Sequence, residues 1–99
     1  MIEFAPEAID DLERIFDFNA LGRTLDVARR QLARIRQVIS LLDDQPLLGR
    51  RARSGSNLRE LVISAGKTGF VAVYEHAPAE RLIRVVAVRH QREAGYGDA

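Results

Sequence analysis

Cysteine is absent from this 99-residue chain. That excludes disulfides and thiolate metal sites and leaves the redox compartment unreadable. Only two histidines occur, His76 and His90, neither with a ligand at a familiar spacing, so no metal site is expected. No apolar run approaches the roughly 20 residues that span a bilayer. Met1-Ile2-Glu3-Phe4 lacks the basic start and long apolar stretch of a secretory leader, so a cytoplasmic location is the expectation, with no membrane partner. There is no internal repeat and no glycine-rich phosphate loop; no cofactor is implied. A serine triad lacks the strand-to-helix context of a nucleophile elbow. Net charge is only +1, which argues against broad coating of nucleic acid.

Hydrophobic residues make up 46% and charged residues 29%, as in an ordinary globular protein. One domain spanning 1–99 is the default at this length. The charge is unevenly spread. Residues 1–20 hold six acids (Glu3, Glu7, Asp10, Asp11, Glu13, Asp17) against one base, Arg14; residues 50–99 hold nine bases against five acids. An acidic first helix and a basic second half suggest a basic patch for an anionic partner.

Ile2–Ala5 alternates like a strand. Pro6 suits the first position of a helix, where its missing N–H would be unpaired anyway. Ile9, Leu12 and Phe16, flanked by Ala8 and Ile15, repeat at helical spacing. Asn19-Ala20-Leu21-Gly22 ends this helix, with Gly22 able to take the left-handed conformation. Thr24 can cap a second helix, whose apolar stripe is Leu25, Ala28, Leu32, Ile35, Ile39 and Leu42. Its opposite face carries Arg29, Arg30, Arg34, Gln37 and Asp44. Pro46 stops it. Residues 47–56 read as a loop with three arginines, Arg50, Arg51 and Arg53.

Three strands follow: Leu58–Ile63, Phe70–His76 and the β-branched Leu82–His90, with turns at Ser64–Gly69 and Ala77–Arg81. Short connections make neighbouring strands antiparallel. The order β-α-α-β-β-β predicts an α+β fold: a helical hairpin packed on one face of a mostly antiparallel sheet. The last strand is apolar on both faces, with Ile83, Val85 and Ala87 on one and Leu82, Val86 and Val88 on the other. A two-layer domain should be polar on its solvent side, so a partner surface is expected there.

The candidate chemistry is basic. Arg59 opens one strand; Arg89, His90 and Arg92 close the last, and Tyr96 follows. Arg89 and His90 point to opposite faces, so both cannot line one tight site without a bulge. Such a cluster could stabilise a phosphodiester transition state, with His90 as general acid or base. It could equally bind the acidic residues of a protein partner. The expected binding set is Arg50, Arg51, Arg53, Arg59, Arg89, His90 and Arg92.

The ordered set Ala8-Ile9-Asp10-Asp11-Leu12-Glu13-Arg14-Ile15, Pro46-Leu47-Leu48-Gly49-Arg50, Leu58-Arg59-Glu60-Leu61, Val73-Tyr74 and Val85 to Tyr96 resembles toxins of the bacterial RelE/ParE superfamily. The resemblance implies a type II toxin, active in growth inhibition and plasmid stabilisation. It would be neutralised by a cognate antitoxin, through which alone it would meet operator DNA. RelE-like members cut messenger RNA on the ribosome; here that set would be Arg59, His90, Arg92 and Tyr96. ParE-like members inhibit DNA gyrase. RNA-cutting members usually carry arginine just after the aromatic that opens the Phe70–His76 strand, where this chain has Val71. That favours the ParE-like branch, with a ribosome-dependent endoribonuclease or a degenerate, autoregulatory toxin as alternatives.

Overall fold

The computed structural model describes residues 1–52, 56–65 and 68–92. A strand, β1 (Ile2–Phe4), leads into two helices, α1 (Pro6–Gly22) and α2 (Leu25–Ser40), and a 3₁₀ turn at Leu41–Asp43. Four strands follow: β2 (Arg50–Arg51), β3 (Leu58–Ala65), β4 (Thr68–Ala77) and β5 (Leu82–His90). They form one sheet in the order β1-β5-β4-β3-β2. Only the β1–β5 pair is parallel. The helices lie antiparallel against one face of this sheet, as the element order predicts. Among the described residues no helix is long and apolar enough to cross a membrane.

The local chemistry explains the boundaries. Pro6 opens α1, and Thr24 caps α2 by accepting the Val27 amide at 3.1 Å. Gly22 stays within α1 and has no positive φ; the helix runs on to Arg23, whose amide bonds the Asn19 carbonyl at 2.9 Å. The expected left-handed stop therefore does not occur. Among the described residues the positive φ belongs instead to Arg81 (51°), after the 3₁₀ turn at Pro78–Glu80.

The core differs from the simple stripe. In α1 the buried positions are Ala8, Ile15 and Asn19, while Ile9 is 46% exposed and Leu12 and Phe16 are half-buried. In α2 they are Ala28, Gln31, Ile35 and Ile39; Leu25 is exposed. Each helix must serve both its partner helix and the sheet, so the buried arc is rotated from the most apolar positions. The sheet contributes Leu61, Ile63, Phe70, Ala72, Tyr74, Ile83, Val85 and Val88 to the same cluster.

Three corrections concern the sheet. Part of the expected loop pairs with β3 as a short edge strand, Arg50 opposite Glu60 and Arg51 opposite Arg59. And β5 does not alternate evenly. Val73 pairs with Ala87 but Tyr74 pairs with Val85, so Val86 is bulged out of the β4–β5 register. The bulge shifts Val88 to the core side with Ile83 and Val85, and sends Ala87 to the other face. The carboxylate of Asp11 on α1 accepts the Val88 amide at 2.9 Å beside this break. Gly69 lies within β4 rather than in a turn, and a Cβ there would collide with the Gln91 side-chain amide.

Tyr74 is fully buried and ties the connection before β2 to the sheet. Its hydroxyl donates to the Pro46 carbonyl at 2.8 Å and accepts the Gly49 amide at 2.9 Å. Gly49 needs to be glycine: a Cβ there would lie 2.7 Å from Tyr74 Cε1 and 2.9 Å from the Glu60 carbonyl. Tyr74→Phe should keep the ring packing but orphan both backbone groups. The expected loss is about 1–3 kcal/mol, read by urea denaturation; an unchanged midpoint would refute this role.

Candidate functional site

The basic residues singled out from sequence fall into two groups at opposite ends of the sheet. Arg50 and Arg51 are exposed on β2 at one edge. Arg59, half-buried on β3, donates from Nη1 to the Gly49 carbonyl at 2.8 Å. It latches the same segment that Tyr74 holds. Arg53 and Tyr96 lie outside the described residues.

At the other end, Arg89 pairs with Val71 and His90 with Phe70. Because neighbouring residues of a strand alternate, Arg89 points to the open face and His90 to the helix side. The bulge at Val86 precedes both and leaves them divergent. His90 meets the Phe70 ring edge-on (centroids 5.8 Å, 78°), and its Nε2 is 3.4 Å from the Thr68 hydroxyl. Its Nδ1 accepts the Arg92 amide at 3.1 Å. Arg92 itself is exposed.

Arg59 and His90 sit opposite Tyr74 and Phe70, four residues apart along β4 and on different neighbouring strands. That offset is about 13 Å along the strand and about 10 Å across it. With its guanidinium committed to Gly49, Arg59 does not share a site with His90. Among the described residues, no group of three His, Cys, Asp or Glu side chains is placed to hold a metal ion.

The open face of the sheet has an apolar centre and a charged rim. Val62 is 43% exposed, Val73 and Ala87 are half-buried, and Val71 is fully buried. Arg84 bridges Glu3 at 3.6 Å and Glu75 at 3.4 Å along one side. These exposed pairs contribute little stability. Among the described residues the edge of β3 beyond Glu60 has no strand beside it: β2 pairs with Arg59 and Glu60, and the Ala52 amide bonds the Leu58 carbonyl.

Two features were not read from sequence. First, Phe4, Ile9, Leu12, Phe16 and Leu32 line an apolar groove of about 650 Å³ between β1 and the helices, with Glu13, Asp17 and Arg36 among its polar residues. The surplus apolar residues of α1 were its signal: a helix with a wide apolar arc has more such surface than one sheet face can bury. Second, Arg14, Arg23, Arg30 and Arg34 gather where the helices meet the end of the sheet. They come from separate turns and helices, so spacing does not reveal them. The polar Gln31 within the buried arc of α2 was the available hint.

Against this geometry, residues 2–95 match the family model described as ParE toxin of the type II toxin–antitoxin system parDE. Among solved structures, the chromosomal ParDE toxin–antitoxin system from P. aeruginosa aligns with TM-score 0.74 at 16% identity. That match covers 90% of this chain and 92% of that one. The intact E. coli RelBE toxin–antitoxin complex aligns with TM-score 0.56 at 17% identity, covering 90% and 93%. A metal-bound toxin from Helicobacter pylori gives 0.50 at 15% identity, covering 94% and 96%. At such identities the structural likeness concerns the fold. No curated protein matches the sequence.

The different settings of the arginines predict different costs. Arg59→Ala removes a charged donor from a partly buried carbonyl and should cost about 1–2 kcal/mol in chemical denaturation. Arg89→Ala, on an exposed position, should stay within about 0.5 kcal/mol of the parent. Equal losses would show that Arg59 is not the latch described.

Proposed function

This chain belongs to the ParE toxin family of type II toxin–antitoxin systems, and from that premise we propose that it inhibits DNA gyrase by binding it, performing no chemistry of its own, until a cognate antitoxin covers it. The observation that carries the gyrase reading is Val71. RNA-cutting relatives are expected to place an arginine at this position. Here the side chain is a fully buried valine beside Val62 on β3 and Arg89 on β5. A buried isopropyl group can neither reach nor neutralise a scissile phosphate. The separation of Arg59 from His90 points the same way.

The antitoxin reading rests on unfilled surfaces. The groove of Ile9, Leu12 and Phe16 fits the apolar side of an amphipathic helix. Among the described residues no strand pairs with the β3 edge from Leu61 to Ile63, which offers backbone groups to an extended segment; the Ser64 carbonyl beyond it is already held by Arg34. The basic second half suits an acidic segment. The similar ParDE and RelBE proteins are themselves toxin–antitoxin pairs. Contact with operator DNA would then come through the antitoxin, and the pair would sit in the cytoplasm with gyrase.

A supercoiling assay tests the target. Added chain should block relaxed-to-supercoiled conversion by gyrase, and His90→Ala should inhibit to within roughly twofold of the parent. Full gyrase activity at excess toxin, with cuts inside translated codons on primer extension, would establish the endoribonuclease reading instead. Intact messages and active gyrase together would leave only antitoxin binding and autoregulation. Separately, Ile9→Asp places a charge in the groove at a half-exposed position. It should weaken antitoxin binding by about 2 kcal/mol or more, roughly 30-fold, with little change in thermal stability. Undiminished affinity in calorimetric titration would move the antitoxin elsewhere.

A further inference from the structure

At the end of the helical hairpin away from the Tyr74 latch, two adjoining recesses open between the helices and the sheet. One, of about 410 Å³, is walled by Ile15 and Phe18 of α1, and by Thr68, Phe70 and His90 of the sheet. The other, of about 510 Å³, is bounded by Arg30 and Arg34 of α2 and Ser64 of β3. Gln31 and Arg23 belong to both. Each is of a size that holds a small organic ligand.

Gln31 is the unusual residue. It is 8% exposed, and its side-chain oxygen has no hydrogen-bond partner among the described residues. An unpaired buried acceptor is destabilising, and a leucine would fill the same arc of α2 with Ala28 and Ile35. An acceptor at the floor of a cleft calls for a donor brought in from outside.

The mouth has the opposite chemistry. The Arg23 side chain has no ion pair or hydrogen bond among the described residues, and Arg34 is anchored by its Nε to the Ser64 carbonyl at 3.0 Å. No described carboxylate lines either recess. Asp26, which pairs with Arg30 at 3.4 Å, lies outside both. Between floor and mouth the wall is aromatic: Phe18 is 74% exposed at the lip, and Phe70 packs beneath His90.

A ligand matching this sequence of environments is flat, carries N–H donors at one end and is strongly anionic at the other. We propose that the cleft binds a nucleotide, with its base edge on the Gln31 amide, its ring against Phe18 and its phosphate held by Arg23 and Arg34. The amide of glutamine reads base edges, and phenylalanine stacks on any base. Paired arginines suit phosphate oxygens better than a lone carboxylate needs. This site is separate from the hairpin groove, from the open sheet face and from the Arg50–Arg59 end, so it stands whether or not gyrase is the target.

The test is an amide-shift NMR titration of the purified full chain with the four ribonucleoside monophosphates, with inorganic phosphate and with the free nucleosides. At least one nucleotide should bind roughly tenfold tighter than phosphate or its own nucleoside, shifting residues 23–34, 68–70 and 90. Gln31→Leu should remove that advantage while leaving phosphate binding unchanged, and its melting temperature should hold or rise. Arg23→Ser, at an exposed side chain outside the core, should weaken nucleotide and phosphate alike. Equal affinity for phosphate alone would reduce the site to a basic patch and overturn the proposal. So would the absence of shifts at millimolar nucleotide, or shifts confined to other surfaces.

Discussion

The contact on which the two layers depend is the one between Asp11 and the Val88 amide, 2.9 Å across the helix–sheet boundary. A bulge at Val86 breaks the β4–β5 ladder there and re-aims the rest of β5. A backbone donor beside such a break needs a partner if it is to be enclosed. Asp11 supplies it from α1, and so sets the height at which that helix rests on the sheet. Ala8 and Ile15, one turn to either side, then fall over Val85 and its neighbours in the core cluster. The core is assembled on that alignment, and the apolar residues of α1 that cannot reach it are turned outward into a groove.

The function proposed follows from where this arrangement leaves surface uncovered. Among the described residues no helix lies on one face of the sheet. The β3 edge is half open. The hairpin groove holds Ile9 and Phe16 partly in solvent. A chain of this size that leaves so much apolar surface unfilled is shaped to receive other chains. The described basic residues do not converge into one catalytic constellation. Arg59 is spent on holding the Pro46–Gly49 segment, and Arg89 and His90 lie on opposite faces. A surface that binds by shape and charge needs no such convergence; a nuclease does. The cleft around Gln31 adds a third kind of surface, one sized for a small molecule.

Much of this was readable along the chain. The Pro6 start, the Thr24 cap, the Pro46 stop and the β-branched run of β5 each act through the next few residues, so local spacing reveals them. The element order then implies the layers, while the family resemblance rests on the ordered motifs from Ala8–Ile15 to Val85–Tyr96. What failed did so for non-local reasons. Gly22 did not end α1, because a glycine permits a left-handed turn without requiring one. Arg50 and Arg51 looked like loop because a two-residue edge strand exists only through its partner β3. The faces of β5 were misassigned past Val86, since a period of two cannot register an inserted residue.

The amino-acid sequence alone determined the fold class, the helical hairpin over a single sheet face and the absence of cysteine chemistry, because periodicity, caps and composition are properties of neighbouring residues. Tertiary structure alone decided which arginines lie near one another, because Arg14 and Arg23 line one recess and Arg23, Arg30 and Arg34 the adjoining one only when α1 and α2 close on the end of the sheet. It also decided that Gln31 would be buried with an unpaired oxygen, since burial belongs to the packed layers and not to the helix that carries the residue.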